Sequence, residues 1–229
     1  FDHSYLLPNG KQFIQLMSDI FDDLVGREQT ISFEHDLCFL SEEITYFTAM
    51  LYLYRPFVEN PLSSPIKIDG KTFYIADQTL EGKRYDYFVD ILFEKIHSFY
   101  DRLANQIAVL FPDKLKKKDN IHFHKVIEKL QVDYADNNDF SWLLNFRDNE
   151  YKVMNDQRRN SVHKISIVTK NFNEQALKNS MDYEKTKGLT DKRMDYPDYF
   201  KKMHYLCLLG FEKTLGFLEV VKKKIINKK

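Results

Sequence analysis

Cysteine is scarce: Cys38 and Cys207 are the two in 229 residues, and they lie far apart inside apolar helical patterns. Free cysteine commonly acts as a small buried hydrophobe in reducing compartments, so two thiols are expected and no disulfide bridge. Net charge is missing as well, since 34 basic residues balance 34 acidic ones, which argues against a polyelectrolyte of the histone type. No apolar run approaches the roughly 18 residues of a membrane span, and no charged-then-apolar leader opens the chain. A cytoplasmic protein without membrane contact is expected. No low-complexity linker divides the sequence, so residues 1–229 read as one domain with a substantial core. Repeats at a spacing of about 20 to 50 residues are absent, which excludes a solenoid. There is no Gly-rich phosphate loop followed by Lys-Ser or Lys-Thr, no Gly-x-Ser-x-Gly elbow and no His-Glu-x-x-His. ATP hydrolysis, serine hydrolysis and zinc proteolysis lose their support.

What is abundant is helical periodicity. Phe13, Ile14, Leu16, Met17, Ile20, Phe21 and Leu24 recur at three- and four-residue steps before Gly26, the pattern of a helix with a glycine stop. A second helix is expected from about Ser32 to Tyr54, ending ahead of Pro56. The strongest stripe runs Tyr85, Phe88, Val89, Leu92, Ile96, Phe99, Leu103, Ile107, Leu110 and predicts a central bundle helix. Shorter helices follow around 121–132 and from Trp142 onward, with Asp136-Asn-Asn-Asp139 breaking the chain and capping the next segment. A last helix starts near Pro197 and buries Phe200, Met203, Cys207, Phe211, Thr214, Leu215, Leu218 and Ile225. The one β signal is Ile66 to Ile75, where Asp69-Gly70 suits the positive φ angles of a tight hairpin turn; such a hairpin should lean on the helices. Residues 171–195 are polar, contain Gly188 and few apolar anchors, and read as a long mobile loop. The fold class is therefore all-α: a single-domain bundle of about five or six helices with a small β-hairpin insertion at 66–75.

Charge is unevenly spread. Acids dominate between Asp19 and Glu43, while lysines crowd 114–118 and 222–229. Such basic runs are usually solvated, though beside a cleft they would steer an anionic strand.

Chemistry concentrates in Asn155-Asp-Gln-Arg-Arg-Asn-Ser-Val-His163-Lys164, about two and a half helical turns. On a helix Arg159 and His163 share a face, Asn160 lies one turn from His163, and Arg158 sits about 140° round from that histidine. Arg158 also continues the stripe of Tyr151, Met154, Val162, Ile165 and Val168, where an unpaired charge is expensive. Guanidinium groups hold phosphate oxygens by paired hydrogen bonds, and an imidazole with a pKa near ~6.5 exchanges protons at neutral pH. These are the parts of a ribonuclease. The bland reading is a basic turn tied by ion pairs, with Asp156 or Asp148 as partners.

The string RRNSVH, residues 158–163, resembles the RxxxxH signature of the HEPN superfamily of helical, usually dimeric proteins, many of them metal-independent ribonucleases. Arg158 and His163 match its two fixed positions. The residue after the arginine is usually Asn, Asp or His in that family; here it is Arg159, with Asn160 one place late. The resemblance implies an endoribonuclease in which His163 exchanges protons with the attacking 2′-hydroxyl or the leaving oxygen while Arg158 stabilises charge on phosphorus. Asn160 would orient the phosphate or the imidazole, and Arg159 and Lys164 would bind neighbouring phosphates. It further implies RNA as partner, no cofactor and no metal, and a homodimer with a composite cleft on its two-fold axis. An antitoxin or nucleotidyltransferase partner in a bacterial defence or toxin-antitoxin setting follows by analogy alone.

Two readings compete. One is a degenerate HEPN-like dimer that binds RNA or a protein without cutting, which the displaced Asn160 favours. The other is a scaffold with an accidental motif. Glu94-Lys-Ile-His97 has the spacing of helical two-metal sites, but no second copy exists, so both read as ordinary helix residues. His122 and His124 read as surface residues, because zinc needs further ligands and the cysteines are remote.

Overall fold

A computed structural model describes residues 10, 12–75, 79–115, 121–163, 166, 169–170 and 173–226; the side chains of 161–163, 175–177 and 225–226 lie outside the description. The architecture is an all-α bundle carrying a two-stranded antiparallel hairpin. Its first helix, α1 (Phe13–Val25), buries Phe13, Leu16, Met17, Ile20 and Phe21. It stops at Gly26, whose φ of 84° lies in the left-handed region that favours glycine. α2 (Arg27–Tyr54) begins immediately, earlier than the expected Ser32. The Gly26 turn lets it do so: Thr30 Oγ1 donates to Gly26 O at 3.1 Å, and the Arg27 guanidinium stands 3.5 Å from Asp22 and 3.7 Å from Glu34.

β1 (Ile66–Ile68) and β2 (Lys71–Phe73) pair Ile66 with Phe73 and Ile68 with Lys71. The turn residues Asp69 and Gly70 have φ values of 48° and 73°, as a tight hairpin turn requires. Just past the hairpin, Tyr74 N–H donates to Ser180 O in a turn at 2.6 Å, and the Tyr74 ring meets Tyr183 edge-on at 5.5 Å, while β1 itself is exposed.

α3 (Leu80–Val109), α4 (Phe123–Tyr134), α5 (Asn138–Phe146) and α6 (Lys152–His163) follow, the last two joined by a wide π-turn at Arg147–Tyr151. Asn137 caps α5 by accepting Phe140 N–H at 2.9 Å, a role the Asp-Asn-Asn-Asp run announces. The stretch expected to be a long loop is largely helical. A π-turn spans Asn173–Lys178, and α7 occupies Tyr183–Met194. Its buried positions are Thr186 and Thr190, which no aliphatic stripe reveals. Their hydroxyls are satisfied on Asn179 O and Thr186 O at 3.0 and 2.9 Å, leaving their methyl groups to pack. Asp182 caps the helix from Lys185 N–H at 3.1 Å. The final helix, α8, runs Tyr196–Ile226.

The chain forms two compact units: Phe1–Glu43 with Lys95–Met154 and His204–Lys229, and Ile44–Glu94 with Asn155–Met203. In the first, the buried Tyr100 lies 4.7 Å from Phe146 and 4.9 Å from Phe123 by ring centres and donates its hydroxyl to Leu206 O at 2.8 Å. Phe217 gathers Tyr134 and Phe140 at 5.1 and 5.0 Å. Cys38 and Cys207 are free thiols in this unit, and burial pushes both upward in pKa. In the second unit, Phe93 meets Phe200 at 4.9 Å, and Phe88 touches Phe47 and Tyr54 at 5.7 and 5.6 Å. Arg193 grips Asp86 there, with Tyr85 donating to Arg193 O at 2.6 Å. Desolvation, with Asp86 and Asp90 nearby, pushes the half-buried Tyr196 phenol up to about 12.

Candidate functional site

The motif forms the second half of α6, so both fixed positions, Arg158 and His163, belong to one continuous helix. They stand five positions apart, about 7.5 Å along the axis and about 140° around it. Tyr151 and Met154 on the preceding stripe are buried, and Arg158 continues that stripe at half-burial. Its charge is paired: Nε donates to Glu94 Oε2 of α3 at 3.1 Å, both residues belonging to the second unit. This carboxylate stands 64 positions away in sequence and replaces the local partners Asp156 and Asp148. Asp148 is engaged by Arg147 at 2.7 Å, which holds its carboxyl below the usual range.

Around the pair, polar capacity remains unused. Glu94 Oε1 and Asn155 Oδ1 are buried without a hydrogen-bond partner among the described residues. Arg159 and Asn160 are exposed on the outer side of α6. His163 is the last residue of that helix; its side chain and the whole of Lys164 lie outside the described residues. The structure thus joins Arg158 to Glu94, a residue the sequence reading set aside as ordinary. A signal was available, because a charge on an apolar stripe demands a partner. Periodicity does not say which residue answers that demand: Glu94 stands two places from both Leu92 and Ile96, on the opposite side of α3 from their stripe.

The remaining histidines make a separate cluster in the first unit. Asp101 accepts from His122 Nδ1 at 3.0 Å and from Phe123 N–H at 3.1 Å, and His97 Nδ1 stands 3.5 Å from it. Asp101 therefore caps the start of α4 and ties down His122, whose side chain remains 39% accessible. His124 is half-buried too, its ring parallel to His122 at 5.9 Å, and burial lowers its pKa. His97 is buried beside Tyr151 at 6.1 Å. Among the described residues no group of three or more His, Cys, Asp or Glu side chains is arranged to hold a metal ion. Several lysines of the basic runs are already paired: Lys114 with Asp133, Lys222 with Asp23 at 3.0 Å and Lys223 with Glu219 at 2.7 Å. No described helix is long and apolar enough to cross a membrane.

The Cthe2314-like HEPN family model matches residues 67–225, more than two thirds of the chain. The chain belongs to this HEPN family. The HEPN match takes in α3, the whole of α6 and nearly all of α8, so Glu94, Arg158 and His163 all fall within it, while α1 and α2 precede it. Neither a curated protein nor a solved structure shows significant similarity to the chain.

Proposed function

We propose that this HEPN protein is a metal-independent endoribonuclease. The observation that supports it best is Arg158: a guanidinium on an otherwise apolar stripe, half-buried and held by a carboxylate, five residues ahead of a histidine on the same helix. In this reading Arg158 stabilises the extra negative charge on phosphorus, and His163 donates a proton to, or takes one from, a reacting oxygen. Asn160 orients the phosphate or the imidazole, and the exposed Arg159, with Lys164, binds flanking phosphates. Two copies facing across a two-fold axis form one composite cleft around a single strand. By family analogy the setting is bacterial defence or a toxin system with an antitoxin or nucleotidyltransferase partner.

A non-cutting HEPN dimer that binds RNA or protein is the second reading. It is favoured by Arg159 at the position where the family's polar residue is expected. RNA incubated in EDTA with wild type and with His163→Ala separates the two. Cleavage by wild type and none by the variant supports catalysis, whereas binding without cleavage by wild type supports the second reading. Sedimentation that returns a monomer contradicts both.

A further inference from the structure

Among the arginine–carboxylate pairs of the second unit, which also include the more exposed Arg55–Asp198 at 3.2 Å, two differ in build. Arg193 meets Asp86 with a full fork, Nε on Oδ1 and Nη2 on Oδ2, both at 2.9 Å, and the side chains are 12% and 5% accessible. Both carboxylate oxygens are engaged, and Nη2 also reaches Gly82 O at 3.2 Å, which is the geometry of a pair whose work is structural. Arg158 and Glu94 share one bond, Nε to Oε2, with accessibilities of 20% and 40%. The second carboxylate oxygen, Oε1, is buried and has no partner among the described residues, and neither has Asn155 Oδ1 one turn before Arg158. Buried acceptors without donors are rare and costly in a folded chain, typically by ~1–3 kcal/mol each. They leave acceptor capacity beside Arg158 that the fold does not use.

Transesterification of RNA needs two proton exchanges per turnover, one removing the 2′-hydroxyl proton and one supplying the leaving 5′-oxygen. Within one copy the motif contains a single group suited to this, because arginine stays protonated. From the unsatisfied oxygen we infer that Glu94 is a further catalytic residue, the general base that accepts the 2′-hydroxyl proton. This assignment rests on the ribonuclease reading above. The 2′-hydroxyl donates to the Glu94 carboxylate, whose side chain is 40% accessible, and its oxygen attacks phosphorus as the proton passes to that group. The O2′–P bond forms and the P–O5′ bond breaks, the 5′-oxygen taking its proton from His163. The products are a 2′,3′-cyclic phosphate and a 5′-hydroxyl. Arg158 links the two tasks: Nε fixes the base, and its terminal amino groups remain for the phosphate. The substrate class is RNA carrying a free 2′-hydroxyl at the cut site.

The test uses Glu94→Gln and Glu94→Asp in the full chain, with single-turnover cleavage and binding of a 2′-O-methyl RNA measured side by side. Glu94→Gln is expected to slow cleavage by about 100-fold or more, with RNA bound as tightly as by wild type or more tightly, since a negative charge beside the phosphate is gone. Glu94→Asp keeps a carboxylate and recovers part of the rate, which covers the case of a Gln variant that folds poorly. Cleavage by Glu94→Gln at or above the wild-type rate overturns the assignment and makes Glu94 a structural or restraining partner. If wild type does not cut, the ribonuclease reading fails and this assignment falls with it. If wild type cuts, Arg158→Ala does not, and Glu94→Gln does, the Glu94 assignment alone is wrong.

Discussion

Gly210 of α8 faces Tyr100 of α3 so closely that a Cβ at position 210 would stand 3.0 Å from both Cε1 and the hydroxyl of that ring. The ring is fully buried and anchored through its hydroxyl to Leu206 O, so it has little room to retreat. Gly210→Ala is expected to lower stability by about 1–3 kcal/mol through overpacking, in spite of alanine's better helix propensity. Chemical denaturation checks this; an unchanged or raised midpoint contradicts the packing described.

The forked pair between Asp86 and Arg193 is the most enclosed ion pair described in the second unit. Removing one partner strands the other in a poorly solvated place, so Arg193→Met or Asp86→Asn should each cost about 3–5 kcal/mol. Replacing both with apolar residues should cost less than either single change. Equilibrium unfolding of the three variants decides it.

Burial lowers the pKa of His124 and of His204 below the ordinary 6.5. A histidine whose folded pKa is depressed binds fewer protons folded than unfolded. Its contribution is therefore complete above about pH 6.5 and lost as pH falls from 6.5 through the depressed folded value. Melting temperature should drop across that acidic window, and His124→Gln with His204→Gln should flatten the drop. The carboxylates facing His124 are Asp101 and Glu128, and His122 and Lys125 are its basic neighbours; His204 Nε2 lies 3.0 Å from Ser41 Oγ.

How far the sequence could be read depended on what filled each buried face. Where large apolar residues repeat, as in Leu92–Ile96–Phe99–Leu103 of α3, the helix and its inward face were both evident. Gly26 and Asp69-Gly70 marked their turns because the backbone there needs positive φ. α7 was missed since its inward positions are threonines, whose hydroxyls bond within the segment. At the candidate site the local half was legible: Arg158, Asn160 and His163 fall on one helix as the spacing requires. The partner was not, because helical periodicity carries no information about which residue 64 positions earlier comes to face Arg158.

The cap on α7 offers a check on that correction. Asp182 accepts from Lys185 N–H, and that bond holds its carboxyl below the usual range. Asp182→Ala should cost about 0.5–2 kcal/mol and raise amide exchange over 183–194 selectively. Fast exchange throughout that stretch in wild type contradicts the helix.

The most direct measurement is the effect of Arg158→Ala on two quantities in EDTA: the single-turnover rate of RNA cleavage and the dissociation constant for an uncleavable RNA. A guanidinium that stabilises developing charge on phosphorus predicts a rate loss of about 100- to 1,000-fold with binding changed only a few-fold. Wild-type cleavage that survives the substitution, or binding and rate that fall together to the same extent, contradicts the account.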